Sequence, residues 1–437
     1  MTASLARRLA EDGYDGYTYS YPHKTAYRPF DPPVPLSQAW QDEDKSSLFL
    51  YLHLPFCEMR CGFCNLFTTI RPGQELVEGT VAALLRQSAQ VAQEIAPGRV
   101  VQAAVGGGTP SYLNEAQLER LFASVGQHWP VRWGEIPLSL EVSPATVSPG
   151  KLALLRSLGV SRLSLGVQSF LSEDLAALHR PELGADLNQV CGWIREAGFP
   201  VFNIDLIYGS EGQDEERWER SLRAALAWRP EELYLYPLYV GKLTSLDRMG
   251  RRPGERRLAL YQRARQVLLE AGYEQQSMRL FRLPGARLEA AEYCCQEDGM
   301  VGLGPGARSY TRDLHYSSEY AVGQTGVREI IASFARSEDF RSAMFGARLD
   351  LAEQRRRDLL KSLLRVEGLE MERYRRRFGS DPLADFPELA ELFEMDLGYV
   401  RDDRLLLTEA GLGYSDTIGP WLYSEPMKAL MGEYELR

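Results

Sequence analysis

The feature that most constrains this chain is a group of three cysteines just behind an apolar run. Cys57, Cys61 and Cys64 follow the run at 48–54, with three and then two residues between them. Three thiolates on one tight loop can hold three irons of a [4Fe-4S] cube and leave the fourth iron open. Zinc sites normally have four ligands, and no fourth Cys or His follows at zinc spacing. A disulfide would pair two of the three cysteines and leave the third thiol unpaired. The spacing therefore predicts an iron–sulfur site.

Composition and charge narrow the class of protein. The chain has 437 residues, of which 44% are hydrophobic and 25% charged, which is typical of a globular enzyme. The net charge of −10 argues against nucleic acid as a partner. No apolar run reaches membrane-spanning length, and residues 1–11 do not resemble a signal peptide. Six cysteines in a chain of this length do not indicate a disulfide scaffold, so we expect a cytoplasmic protein. Because no apolar run is long enough to span a membrane, we expect no membrane partner.

Short apolar runs alternate with amphipathic stretches from Leu48 onward, which predicts a parallel sheet with right-handed helical crossovers. The predicted strands are 48–54, 100–105, 138–143, 162–167, 201–207 and 232–239. The predicted helices are 75–96, 115–127, 149–158, 185–197 and 214–227. Asn114 and Ser148 are predicted to cap two of the helices. Sites in such folds lie at the carboxyl ends of the strands, where the cysteine loop also lies.

The pattern divides the chain into four predicted segments. Residues 1–46 form an aromatic and proline-rich arm, which either packs on the core or contacts the substrate. Residues 47–245 form the α/β core, and 246–340 extend it with a glycine-rich segment. Residues 341–437 are predicted to form a mostly helical domain.

Polar residues at the ends of the predicted strands are candidates for ligand binding. Gly107 and Gly108 follow the second strand, where glycine lets the backbone approach a ligand closely. Glu141 ends the third strand and Gln168 the fourth. Asp205 lies inside the fifth, and a carboxylate in an apolar strand is costly unless it is bonded. The residue types alone therefore make Asp205 a candidate ligand.

The cysteine spacing, with an aromatic residue before the last cysteine, resembles the signature of radical SAM enzymes. The preceding Tyr51-x-His53-x-Pro55-Phe56 is similar to the oxygen-independent coproporphyrinogen III oxidase-like branch, which also includes haem chaperones and radical methylases. The resemblance covers roughly residues 21–423. It implies an α/β fold: a partial six-stranded (β/α) barrel with an N-terminal arm and a helical, winged-helix-like C-terminal domain.

The resemblance also implies the cofactors and their ligands. It places a [4Fe-4S] cluster on the three cysteines and one or two molecules of S-adenosyl-L-methionine (SAM) beside it. It implies a small-molecule substrate and a reductant such as flavodoxin or ferredoxin. Gln168, Arg180 and Asp205 match positions of a second SAM, and the family residue at the position of Tyr239 is small. The positions that match SAM contacts are Tyr51, Phe63, Gly107, Gly108, Thr109, Glu141, Gln168, Arg180, Asp205 and Tyr239.

Departures from the family pattern bear on the reaction. At three positions this chain differs from the coproporphyrinogen enzyme. That enzyme has a cysteine at the position of Leu66, an isoleucine at the position of Arg308 and a glutamine at a position near Ala290. The haem chaperones carry a haem-binding motif at the positions that correspond to residues 290–296, and this chain has a different sequence there. We therefore expect little turnover of coproporphyrinogen III and no haem binding through that motif.

Cys295 and Arg308 are the candidate catalytic residues. Cys294 and Cys295 are either two small buried residues or thiols that exchange a hydrogen atom with a radical. Arg308 suits a carboxylate or phosphate of the substrate. Three functions stay open: a radical SAM enzyme acting on a small molecule, with methyl transfer or cyclopropane formation if two SAM molecules bind; oxidative decarboxylation of coproporphyrinogen III; and a non-catalytic cofactor chaperone.

Overall fold

The strands build one large sheet and two small ones. The computed structural model describes residues 4–11, 13–180, 186–286 and 298–435. The strands in these ranges are β1 (Arg28–Pro35), β2 (Leu48–Leu54), β3 (Phe56–Cys57), β4 (Thr69–Ile70), β5 (Val100–Gly107), β6 (Leu138–Val142), β7 (Arg162–Gln168), β8 (Val201–Tyr208), β9 (Glu232–Pro237), β10 (Glu274–Gln275), β11 (Leu280–Arg282), β12 (Met300–Leu303), β13 (Arg308–Tyr310), β14 (Leu314–Ser317), β15 (Ser342–Arg348), β16 (Leu369–Glu370), β17 (Gly398–Arg401) and β18 (Arg404–Leu407).

Helices connect most of these strands and cover the sheet. They are α1 (Leu5–Glu11), α2 (Leu36–Ala39), α3 (Gln74–Ile95), α4 (Glu115–His128), α5 (Pro149–Ser157), α6 (Ser172–Ala177), α7 (Leu187–Ala197), α8 (Glu215–Leu226), α9 (Ser245–Arg248), α10 (Arg257–Glu270), α11 (Gln324–Arg336), α12 (Leu351–Leu363), α13 (Met371–Phe378), α14 (Pro382–Asp385), α15 (Ala390–Glu394), α16 (Glu409–Gly413), α17 (Ser415–Trp421) and α18 (Glu425–Gly432). In the part of the chain that the structure describes, none of them is both long and apolar enough to cross a membrane.

The six predicted parallel strands are confirmed. They are β2 and β5–β9, and they lie side by side in chain order, each parallel to the next. Their side chains are buried on both faces, as in β2, because helices cover a parallel sheet on the outside. The predicted helix caps form as well: Asn114 and Gln117 make a reciprocal capping box, and Ser148 accepts a hydrogen bond from the backbone of Lys151.

The sheet extends beyond the six strands on both sides. β12 adds a further parallel strand against β2, followed by antiparallel β13, β14, β15 and β1. β11 and β10 add antiparallel strands next to β9. The order therefore begins with β1 and ends with β10, and these two edges do not pair in the described residues. This is an open, partial barrel, as the fold class predicted.

The two ends of the chain pack together over this sheet. Leu5 of α1 is buried in a second hydrophobic core, which is built mainly from residues of the C-terminal region 359–427. The predicted arm also contains a strand, β1, which pairs with β15. The region's own small sheet has the order β16-β18-β17, in which β17 and β18 form an antiparallel pair. The four segment boundaries given above stay predictions.

Candidate active site at the carboxyl ends of the parallel strands

The cysteine loop is fixed at its base by a short pair of strands. β3 begins two residues after β2 and pairs with β4, and the Arg71 amide donates to the carbonyl of Cys57 at 2.9 Å. A tight turn follows, in which the Cys64 amide donates to the carbonyl of Cys61 at 3.1 Å. Gly62 presses against the chain after α6, where an added Cβ would lie 2.6 Å from that of His179. The loop is therefore held at both its base and its tip.

The three thiols lie on one loop, and two of them are affected by their cysteine neighbours. Burial, with the nearby thiol of Cys64, raises the pKa of Cys57 to about 12. Burial and the charge of Cys61 also raise the pKa of Cys64. The hydroxyls of Thr68 and Thr109 oppose these rises, and that of Thr109 lies 3.7 Å from the Cys57 sulfur. Hydrogen bonds from hydroxyls to cysteine sulfurs stabilise the thiolates, and such bonds to the ligand atoms also tune a bound iron–sulfur cluster.

This donor set fits a [4Fe-4S] cluster by its chemistry. Soft thiolates are the ligands of such clusters, and each cysteine is bound to its own iron. Across the described ranges, no group of three or more His, Cys, Asp or Glu side chains is arranged to hold a single metal ion. The fit rests on three half-buried sulfur donors on one short loop, where a neighbouring thiolate helps to raise the pKa of Cys57 and of Cys64.

Arg180 connects this loop to the end of β7. Its Nη1 donates to the sulfur of Cys61 at 3.1 Å, and its Nη2 donates to the carbonyl of Gly166 at 2.6 Å. Gln168, at the end of the same strand, has a positive φ of 72°, at a register shift between β7 and β8. Both residues are predicted SAM contacts. Arg180 contacts the cysteine loop, whereas a Cβ added to Gly166 would lie 3.0 Å from Gln168 Nε2.

Glu141 lies at the carboxyl end of β6, against the glycines of β5. Its Oε2 accepts a hydrogen bond from the Gly107 amide at 3.3 Å. A Cβ on Gly106 would come within 3.0 Å of Glu141 and of the Tyr51 hydroxyl, so glycine is needed there. Burial raises the pKa of Glu141 to about 7, and the charge of Asp205 adds to this rise. The structure thus brings Tyr51, Gly107 and Glu141 together, and their contact with SAM stays a prediction.

Asp205 is bonded through both oxygens. Asn203 Nδ2 donates to Oδ1 at 2.8 Å, and Ser164 Oγ donates to Oδ2 at 3.1 Å. Burial still raises its pKa, while these two hydrogen bonds act in the opposite direction. The cost of a carboxylate in an apolar strand is therefore offset by neighbours on β7 and β8 that the sequence did not identify.

The other predicted residues have different surroundings. Gly108 lies so close to the cysteine loop that a Cβ would reach within 3.0 Å of the Cys57 sulfur. Phe63 packs in a small apolar cluster with Leu178 and Ile207. The Tyr239 hydroxyl donates to Asp416 in α17 at 2.5 Å, so this side chain contacts the C-terminal region.

Of the two candidate catalytic residues, only Arg308 lies in the described residues. Its Nη1 donates to Ser20 Oγ in the N-terminal arm at 2.9 Å. Cys294 and Cys295 lie outside the described ranges. The proposed hydrogen-atom role of Cys295 stays a prediction.

His53 is a residue of the site that the sequence analysis did not select. It lies on β2 two residues after Tyr51, and its Nδ1 is 3.3 Å from the Tyr51 hydroxyl. A Cβ on Gly107 would come within 2.7 Å of its ring. Burial lowers the pKa of His53 to about 4, so the ring is neutral near pH 7. The alternation of β2, which turns residues 51 and 53 to the same face, was the available signal.

Comparison with known proteins agrees with this geometry. A model of the Radical SAM superfamily matches residues 51–225. The oxygen-independent coproporphyrinogen III oxidase of Synechocystis is 32% identical over 289 residues, which are 62% of this chain and 62% of that protein. The heme chaperone HemW of the same organism is 30% identical over 272 residues, which are 60% of this chain and 65% of that protein. The chain thus covers slightly less than two thirds of these two relatives.

Longer matches have lower identity. The Escherichia coli coproporphyrinogen III oxidase is 28% identical over 377 residues, or 80% of this chain and 79% of that protein. The solved structure of coproporphyrinogen III oxidase (HemN) from Escherichia coli superposes with a TM-score of 0.79 and 24% identity, over 93% of this chain and 96% of that one. Radical SAM proteins use a [4Fe-4S] cluster and SAM. The chain therefore carries a radical SAM domain, with homologues among the coproporphyrinogen III oxidases and haem chaperones and with the fold of the former.

Proposed function

We propose that this protein is a radical SAM enzyme that abstracts a hydrogen atom from a small-molecule substrate. The observation that carries the proposal is the loop of three thiols at the end of β2, next to the carboxylate of Glu141 and the Gly107 backbone. Cys57, Cys61 and Cys64 would each bind one iron, and the fourth iron would stay open for SAM. When bound, the cluster supplies the electron that cleaves SAM to a 5′-deoxyadenosyl radical.

The chain's own groups would bind and orient the cofactors. The Glu141 carboxylate would accept a hydrogen bond from the amine of SAM, since it is half-buried and one of its oxygens accepts only a 3.3 Å bond from Gly107. Arg180 would stabilise the thiolate of Cys61 by donating to its sulfur. A small redox protein of the flavodoxin or ferredoxin type would provide electrons.

Hydrogen abstraction is favoured over methyl transfer. The relatives described above are named as oxidases and chaperones. Methylation or cyclopropane formation would need a second SAM, which rests on Gln168, Arg180, Asp205 and Tyr239. Two of these have other partners here: Arg180 contacts Cys61, and the hydroxyl of Tyr239 is bonded to Asp416. We therefore propose one SAM at the cluster and an oxidoreductase-type reaction.

The first prediction concerns the cluster. Replacing Cys57, Cys61 and Cys64 together by alanine should remove iron, sulfide and the visible absorption of anaerobically reconstituted protein, because the three proposed thiolate ligands of the cluster are gone. The control is Cys191→Ala, which removes a buried thiol from α7 and should keep about the wild-type iron content. A full cluster in the triple variant would contradict the assignment.

The second prediction concerns SAM. Glu141→Gln and Asp205→Asn should keep the cluster and the fold but lose formation of 5′-deoxyadenosine, because each removes the negative charge of a half-buried carboxylate from the site. For Glu141 the binding of SAM should also depend on pH. Its pKa, near 7, is raised by burial and Asp205 and lowered by Arg162 and Gly107, so the carboxylate is largely protonated at pH 6.

Equilibrium dialysis of labelled SAM with the oxidised cluster-loaded protein measures this dependence. Wild-type affinity should fall by about tenfold between pH 8 and pH 6, relative to Glu141→Gln measured in parallel. Titration of SAM itself affects both proteins equally and cancels in the ratio. Parallel pH curves for the two proteins would show that Glu141 does not bind SAM as a carboxylate.

The alternative function is oxidative decarboxylation of coproporphyrinogen III. We expect little or no conversion, since Arg308 adds a positive charge and Leu66, 51% exposed, cannot supply a thiol. The assay is anaerobic incubation with SAM, reductant and coproporphyrinogen III, following 5′-deoxyadenosine and protoporphyrinogen by mass spectrometry. Robust formation of protoporphyrinogen would establish the alternative. Absence of 5′-deoxyadenosine from a cluster-loaded protein would favour the chaperone.

A further inference from the structure

The chain between β9 and α10 packs directly against the cysteine loop. The Leu246 amide donates to the carbonyl of Gly62, in the middle of that loop, at 2.9 Å. A Cβ added to Gly241 would lie 3.4 Å from Asn65 Nδ2, on the residue that follows the last cysteine. The segment 241–252 therefore runs alongside the loop of the three cysteines.

This segment is basic in an acidic protein. It has four Lys or Arg side chains and one Asp, a net charge of +3, whereas the whole chain has a net charge of −10. One of the four, Arg251, pairs with Glu211 at 2.6 Å. The other three are exposed, and they are Lys242, Arg248 and Arg252. Among the residues that the structure describes, no carboxylate lies within ion-pair distance of these three.

Two large apolar side chains are exposed on the same surface. Leu66 is 51% exposed on the cysteine loop, and Met249 is 44% exposed at the end of α9. Each lies within four residues of the hydrogen bond that joins Leu246 to Gly62. Exposed apolar groups among charges are typical of protein interaction sites. We call the set of exposed residues beside the cysteine loop the loop-side patch: Leu66, Lys242, Arg248, Met249 and Arg252.

The charges of this patch suit an acidic protein better than a small ligand or a nucleic acid. They are exposed and spread over eleven residues, from Lys242 to Arg252, so they do not converge on one small group. A net charge of −10 on the rest of the molecule repels a nucleic acid. Exposed cations of this kind act mainly by steering a partner of opposite charge to one orientation.

We propose that the loop-side patch is the docking surface for an acidic electron-carrier protein of the flavodoxin type. That the carrier delivers an electron to the cysteine loop rests on the proposed function; that an acidic carrier binds here does not. The three cations would pair with carboxylates around the carrier's flavin, and Leu66 and Met249 would contact its apolar dimethylbenzene edge. One electron would pass from the reduced flavin to the cluster on the three cysteines, with no bond made or broken.

The experiment compares two charge-reversed variants of the full chain. The patch variant reverses the three exposed cations of the patch: Lys242→Glu, Arg248→Glu and Arg252→Glu. The control makes the same change of charge at three exposed arginines elsewhere: Arg99→Glu, Arg229→Glu and Arg336→Glu. Arg99 and Arg229 lie just before β5 and β9, at the end of the strands opposite the cysteine loop. The two variants therefore differ in where the charge is changed and not in how much.

Isothermal titration calorimetry with oxidised flavodoxin measures binding without electron transfer. The wild type and the control should bind with similar Kd, and the patch variant should bind at least about tenfold more weakly at low salt. The difference should shrink at high salt, because exposed charges are screened. No binding by the wild type, or equal affinity of the patch variant and the control, would overturn the proposal. A concentration-dependent dimer of the wild type that the patch variant loses would assign the surface to a second copy and overturn it too.

Reduction of the anaerobic cluster-loaded protein gives the second measurement, followed by rapid-freeze electron paramagnetic resonance. With photoreduced flavodoxin, the rate constant should fall about tenfold in the patch variant and stay near the wild-type value in the control. With dithionite, a small reductant, all three proteins should be reduced at the same rate. A patch variant that dithionite also reduces slowly would overturn the proposal, because the charges would then act on the cluster and not on docking. A protein that neither reductant reduces would contradict the proposed function, and calorimetry would still test the patch.

Discussion

The register of the parallel strands decides where the functional side chains of this protein lie. Glu141 of β6 pairs with Ser164 of β7, and Gly166 of β7 pairs with Asp205 of β8. Both carboxylates therefore lie in the carboxyl-terminal halves of strands that flank β7, within electrostatic reach of each other. A slip of one residue would turn each to the opposite face of the sheet. The same edge carries the cysteine loop, so binding groups and cluster ligands are positioned by one set of backbone hydrogen bonds.

Buried charge distinguishes the two sides of this site. On the β5–β8 side, Glu141 and Asp205 are half-buried carboxylates, and only neutral groups donate the hydrogen bonds described for them. On the arm side, Lys24 and Arg308 are cations held by aromatic rings. A cationic ligand is favoured beside the two carboxylates.

Local pattern predicted the six strands and the cap at Asn114, because each depends on residues near one another in sequence. It also located the three cysteines and Glu141. It did not predict the contact of Arg180 with Cys61, which joins residues 119 positions apart. It did not place Lys24 beside Arg308, because the arm folds back over strands far along the chain. Pairings of this kind depend on tertiary structure, for which a single sequence gives little signal.

The most direct test of the central claim, a cluster held by three cysteines with one open iron, is Mössbauer spectroscopy of the protein reconstituted with isotopically enriched iron, with and without SAM. We expect about one quarter of the iron signal to change its isomer shift when SAM is added, because only the iron without a cysteine ligand is accessible. Four iron sites that stay identical with and without SAM would contradict the claim.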